Sequence, residues 1–130
     1  MHPWEFHMKI PSMLLKRMYT FNTLRNDAEG CRFSIKNRLS DATLNRLISV
    51  SIDGKSFELD HITLQQEDGT RIMGDKVSPD NPIDFPLRKV MHIRIGGEKL
   101  GKGKHEINVR FDSSYGELAF TVKDAITEKP

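Results

Sequence analysis

The chain predicts an all-β fold: one antiparallel β-sandwich of two sheets, immunoglobulin- or fibronectin-like or jelly-roll-like, with about seven or eight strands. Three observations predict it. Apolar residues alternate with polar ones, most cleanly where Ile107, Val109 and Phe111 share one face and Glu106, Asn108 and Arg110 the other. A side-chain period of two means a strand with one face buried and one in water. Turn signals recur between these runs, and nowhere does a long apolar period of 3.6 announce a helix.

Met1 to Pro11 has neither period and mixes Trp4 and Phe6 with His2, His7 and two prolines. Met8 and Met13 could serve equally as starts, so residues 1–17 read as a partly ordered leader, either a start-site choice or an artificial extension. A loosely ordered tail accounts for it. The sharper reading has Trp4 and Phe6 docking on a partner, because aromatic side chains often anchor interfaces. The sandwich itself is expected over residues 18–125, with 126–130 as a C-terminal tail.

Met18 to Leu24 predicts a first strand and Phe33 to Ile35 a second, joined by turn chemistry at Asn26-Asp27-Ala28-Glu29-Gly30. Ser40 to Leu44 fits a capped helical turn or a loop equally well. Leu47 to Ile52 alternates, with Ile48, Val50 and Ile52 expected inside. Asp53-Gly54 follows at once, a strong hairpin signal. Lys55 to Leu59 should return beside it, with Phe57 and Leu59 inward, and Ile62 and Leu64 continue the sheet before a turn at Glu67-Asp68-Gly69.

Gly74 to Pro86 breaks the rhythm with Pro79, Pro82 and Pro86. Proline removes ladder donors, and a loop this long inside a small domain is often functional. Its apolar Val77, Ile83 and Phe85 need cover. Either the loop folds back over its own sandwich, or it presents these side chains to another chain. Val90 to Ile95 resumes as a strand with Met91, Ile93 and Ile95 on one face. Gly101 and Gly103 open the turn before the 107–111 alternation, Tyr115-Gly116 makes the last hairpin, and Leu118, Phe120 and Val122 alternate in the final strand. Lys123 to Pro130 reads as a polar tail.

At 130 residues, 37% hydrophobic and 29% charged, the chain fits one domain whose slightly lean core is compatible with burial against a partner. A net charge of +2 from scattered basic residues argues against nucleic acid. Cys31 is the single cysteine, so no internal disulfide can form. No apolar run approaches the roughly 18–20 residues of a membrane span, nor the apolar core of a secretion signal. The expected setting is cytoplasmic and reducing, without a membrane.

Nothing in the sequence assembles a catalytic set. The histidines His2, His7, His61, His92 and His105 lack the i, i+4 spacing of a helical zinc motif. His92 and His105 could meet across adjacent strands, but strand-start and wet-face positions account for both. Asp60 and His61, being adjacent, face opposite ways. Cys31 reads as a small buried or semi-buried thiol, with a distant histidine partner left open. Gly101-Lys102-Gly103-Lys104 lacks both the spacing of a phosphate-binding loop and its following helix. Trp4, Tyr19 and Tyr115 are dispersed, which gives a sugar-binding platform little support but leaves that reading open.

From about Tyr19 to Ala125 the chain resembles the small β subunit of bacterial C-glycoside deglycosidases. The segments that carry the resemblance are Ile52-Asp53-Gly54-Lys55, Ile62-Thr63-Leu64, Leu100 to Val109 with its Gly-Lys-His-Glu-Ile, and Gly116-Glu117-Leu118. The resemblance implies a hetero-oligomeric carbon–carbon lyase acting on 3-oxo-glucosides that a separate oxidoreductase makes. Its barrel-fold α subunit would carry a divalent metal, typically manganese, and the acid–base residues. Removal of the acidified proton beside the ketone then expels the aglycone, cleaving C-glycosidic and, as a wider class, O-glycosidic bonds.

On that reading this chain is a non-catalytic β subunit in carbohydrate catabolism. It contributes no catalytic residue, no cofactor and no metal ligand, and Trp4, Phe6, Val77, Ile83 and Phe85 are its candidate partner-interface residues. The alternatives are a free-standing immunoglobulin-like module for carbohydrate or protein, and a small metal-dependent enzyme.

Overall fold

Alternation in the sequence becomes two antiparallel sheets that face each other through a common core. The computed structural model describes residues 10–127. Its strands are β1 (Tyr19–Asn26), β2 (Gly30–Lys36), β3 (Ala42–Ile52), β4 (Lys55–Ser56), β5 (Ile62–Gln66), β6 (Arg71–Met73), β7 (Ile83–Phe85), β8 (Val90–Gly96), β9 (Lys104–Ser113) and β10 (Gly116–Ala125). One sheet runs β1-β2-β8-β5-β6; the other runs β10-β9-β3-β4, with β7 also on β3. The all-β sandwich expectation holds. The ten strands exceed the expected number because β4, β6 and β7 are only two or three residues long, too short to show a period.

The strongest alternations behave as read. Ile107, Val109 and Phe111 of β9 face Val122, Phe120 and Leu118 of β10, all buried. Phe33 and Ile35 of β2 pair with Ile93 and Met91 of β8 on the inner face of the other sheet. Asp53 and Gly54 both take positive φ (54° and 82°), the mirror-image turn that matches strand twist. Gly30 meets a different demand, since a Cβ there would lie 2.0 Å from the Ile95 carbonyl oxygen.

Other expectations are corrected. Ile48 is only half-buried and Leu47 takes its inward place, because the β3–β9 register slips between Leu47 and Ser49. A bulge reverses which residues face in, and alternation alone does not show it. Ser40 to Leu44 makes no helical turn; β3 begins at Ala42. The return after Asp53-Gly54 ends at Ser56, and Leu59–His61 forms a 3₁₀ turn that lays Phe57 and Leu59 against the core. Lys123 to Ala125 is no tail, since it extends β10 opposite Lys104 to Glu106. Ahead of β1, one helical turn, α1 (Ser12–Leu15), and a 3₁₀ turn (Lys16–Met18) bury Leu15 and Met18.

The 74–86 loop folds back over its own sandwich. Val77 and Ile83 are 4% and 3% exposed and Phe85 is 0% exposed, all within the core cluster. Pairing of Ala42 with Phe85 and Leu44 with Ile83 anchors them as β7. These three side chains therefore do not form the partner surface anticipated for them.

One edge of the sandwich is closed by a polar contact between the sheets. The buried Tyr19 hydroxyl donates to Asp124 Oδ2 at 2.8 Å, and the Asn22 backbone N–H donates to the same oxygen at 3.0 Å. Burial, then the hydrogen bond to Asp124, pushes the Tyr19 phenol well above its ordinary pKa, so it stays a donor. Beyond β10 the Thr127 N–H donates to the Leu24 carbonyl, extending the seam. Tyr19→Phe should lower unfolding free energy by about 1.5–3 kcal/mol, the range for a buried bond to a charged group, measured by denaturant unfolding with an unchanged m-value.

Candidate functional site

At one end of the sandwich the core is left open by a cleft of about 580 Å³, lined mainly by apolar side chains. Leu14 comes from α1, Met18 from the 3₁₀ turn, Leu39 from the β2–β3 connection, Phe85 from β7 and Leu118 from β10. Phe85 backs this lining from within the core, where it is fully buried. Ile10, the first described residue, also lines the cleft.

Asn37 builds the wall. Its side-chain N–H groups donate to the Ser40 and Phe85 carbonyls at 2.7 and 2.6 Å, while its Oδ1 accepts from the Leu39 and Ser40 N–H groups at 3.0 and 3.3 Å. Its carbonyl accepts from the Arg88 N–H at 2.6 Å. An amide so fully engaged can be buried without penalty, and it fixes Leu39 at the rim. The Tyr115 hydroxyl lies 2.9 Å from both the Asp41 carbonyl, to which it donates, and the Ser40 hydroxyl. Arg38 donates to the Arg17 carbonyl at 2.5 Å and to the Thr20 hydroxyl at 3.2 Å, tying the N-terminal turns to the wall.

The cleft thus offers apolar surface whose Asn37, Arg38 and Tyr115 side chains are already bonded internally. Among the described residues, none of Arg17, Arg38 and Tyr115 on its lining is paired with a carboxylate or histidine. Sequence reasoning missed it because Leu14, Met18, Leu39 and Leu118 meet only when the chain's ends and the β2–β3 connection converge. The apolar run Met13-Leu14-Leu15 and the turn-forming Asn37 were its available signals.

The other sequence candidates are scattered. Trp4 and Phe6, like His2 and His7, lie outside the described residues. His92 and His105 do not meet: β8 and β9 belong to different sheets. His92 Nδ1 sits 2.7 Å from the Ser34 hydroxyl, and burial, then the charges of Arg32 and Arg94, hold its pKa below the usual value. Asp60 and His61 stand 3.8 Å apart on an exposed turn. Cys31 is buried, and burial pushes its thiol up to about 12, far from nucleophilic. Among the described residues, no three His, Cys, Asp or Glu side chains converge as a metal site. Among the same residues, no helix is long and apolar enough to cross a membrane.

His105 instead locks a corner. Its Nδ1 lies 2.6 Å from Asp53 Oδ2 and its Nε2 2.7 Å from the Gly101 carbonyl, so two acceptors face one ring. Burial opposes the charge, yet the bonds to Asp53 and Gly101 prevail and raise the His105 pKa. Asp53 is lowered, by the Glu106 N–H and then by His105. Stability from the raised His105 is complete below its unfolded pKa of about 6.5 and is lost as pH rises through the folded value. The Asp53 contribution is present above its unfolded pKa and fails as pH falls through its own lowered value. Urea unfolding between about pH 6 and 9 should therefore show stability declining with pH, and His105→Gln should flatten that decline.

The comparisons with known proteins are spare. No curated protein matches the chain. The hydroxymethylglutaryl-CoA reductase, N-terminal domain family matches residues 14–127, from the α1 leucine that lines the cleft to the Thr127 seam. That span covers both sheets and the wall of the cleft, and the chain belongs to the hydroxymethylglutaryl-CoA reductase N-terminal domain family.

Proposed function

We propose that this chain is a non-catalytic, partner-dependent sandwich: the β subunit of a hetero-oligomeric lyase that cleaves C-glycosidic bonds, and O-glycosidic bonds as a wider class, in 3-oxo-glucosides. The barrel-fold α subunit supplies the divalent metal, manganese, and the acid–base residues, in a cytoplasmic, reducing setting. The cleft is the single observation that carries this reading. It is a mainly apolar recess whose Asn37, Arg38 and Tyr115 side chains are already bonded, suited to a partner's side chains rather than to a polar substrate. Trp4 and Phe6 lie a few residues ahead of Ile10 on its lining, which supports them as further interface anchors. The segments Ile52 to Lys55 and Leu100 to Val109, which resemble the deglycosidase β subunit, meet at the Asp53–His105 corner.

The family match favours a second reading, an accessory N-terminal domain working beside a hydroxymethylglutaryl-CoA reductase. The purified chain should be inert toward 3-oxo-glucosides, whereas co-expression with a neighbouring barrel subunit should give an active complex on size-exclusion chromatography. Leu39→Glu should weaken that complex by at least about tenfold, read as Kd, while leaving unfolding of the isolated chain nearly unchanged. Failure to co-elute with the barrel removes the lyase reading. Calorimetric binding of hydroxymethylglutaryl-CoA, or of glycosides without a partner, would favour the reductase or the free-standing module respectively.

A further inference from the structure

The outer face of the β1-β2-β8-β5-β6 sheet carries a feature that no partner of the cleft explains. Register places Arg25 opposite Arg32, Arg32 opposite Arg94, and Arg94 opposite Thr63. Residues directly opposite on antiparallel strands share a face, so three guanidinium groups stand abreast on neighbouring strands. Like charges in that arrangement repel. The next row, Gln65, His92, Ser34 and Thr20, is polar throughout.

The neighbouring carboxylates answer this charge only in part. Asp27 takes Arg94 at 2.5 Å and stands 3.6 Å from Arg32, too far for a hydrogen bond. Glu29 is divided between Arg94 at 3.3 Å and Arg71 at 3.6 Å. Lys99 adds a further cation on the Asp27 carbonyl. Three arginines, Arg32, Arg71 and Arg94, therefore share two carboxylates, with Lys99 on the Asp27 backbone carbonyl and Arg25 beside Arg32 in the row. Among the described residues, the side chains of Arg25 and Arg32 make no hydrogen bond. The Nε atoms of Arg32 and Arg94 and the Gln65 Oε1 are buried without a hydrogen-bond partner. Native structures rarely leave such groups unsatisfied, least of all several on one face.

We infer that this row is a binding site for a doubly charged tetrahedral oxyanion, a phosphate or sulfate group, held by the terminal nitrogens of Arg25, Arg32 and Arg94 on the open face of the sheet. The excess of positive charge calls for more than one negative charge. A planar guanidinium offers paired donors to such oxygens, and Arg suits the role better than Lys. The Ser34 hydroxyl and the His92 ring, 2.7 Å apart in the adjoining row, add polar groups beside it. This site lies on a sheet face, away from the cleft residues, and stands whether or not the lyase reading does.

The test is thermal unfolding of the full chain in inorganic phosphate against chloride at equal ionic strength. Wild type should show a saturable rise in Tm, about 5 °C at tenfold excess over Kd, with sulfate giving a similar shift and acetate little. The double substitution Arg25→Met, Arg32→Met should abolish the phosphate shift, and its Tm in chloride should not fall, because neither guanidinium makes a hydrogen bond. If that variant fails to fold, phosphate titration of wild type should move the Nε–H resonances of Arg32 and Arg94. The inference is overturned by absence of a phosphate-specific shift, by an equal shift with acetate, by an undiminished shift in the folded double variant, or by unmoved arginine resonances.

Discussion

The pairing of β3 with β9 is the constraint on which the rest of the molecule depends. β3 is eleven residues long and alone among the described strands has three partners. Along one side it runs against β9; along the other it holds β7 at its start and β4 at its end. Two register slips, after Leu44 and after Leu47, let the strand keep apolar side chains inward along its length. Each slip inserts a residue that opposes nothing, bending the strand and increasing its twist. Without these bulges Ile48 would face the core and Leu47 would not. The loop that returns as β7 would then lose the edge on which Ile83 and Phe85 are seated.

That edge decides where the protein can meet another molecule. Once β7 is paired, the proline-rich loop has covered its own apolar residues. What stays open lies where the loop ends, between Phe85, the N-terminal turns and the β9–β10 hairpin. Asn37 makes this possible by satisfying four backbone groups around the corner with one side chain. The recess is therefore held open by hydrogen bonds rather than by apolar packing, which would have collapsed it.

Charge is handled differently at three places. Asp124 is buried between the sheets and takes hydroxyl and backbone donors, which converts a costly burial into a seam between the layers. Asp53 and His105 compensate each other at an exposed corner that ties the β3–β4 turn to the start of β9. Among the described residues, the arginine row on the outer sheet face is compensated only in part, by Asp27 and Glu29, and that imbalance distinguishes it from an ordinary solvated face.

By itself the sequence determined the sandwich, because strict alternation in β2, β8, β9 and β10 leaves one way to bury one face of each. It also determined the Asp53-Gly54 hairpin, since positive φ at consecutive positions suits those residue types. Three things were decided only by tertiary structure. The bulges in β3 are a matter of register against β9, and register is a relation between segments. Burial of Val77, Ile83 and Phe85 depended on a free strand edge being within reach, which a local pattern does not encode. The cleft and the arginine row join residues separated by dozens of positions. Their spacing along the chain carries no period, so only the meeting of strands could bring them together.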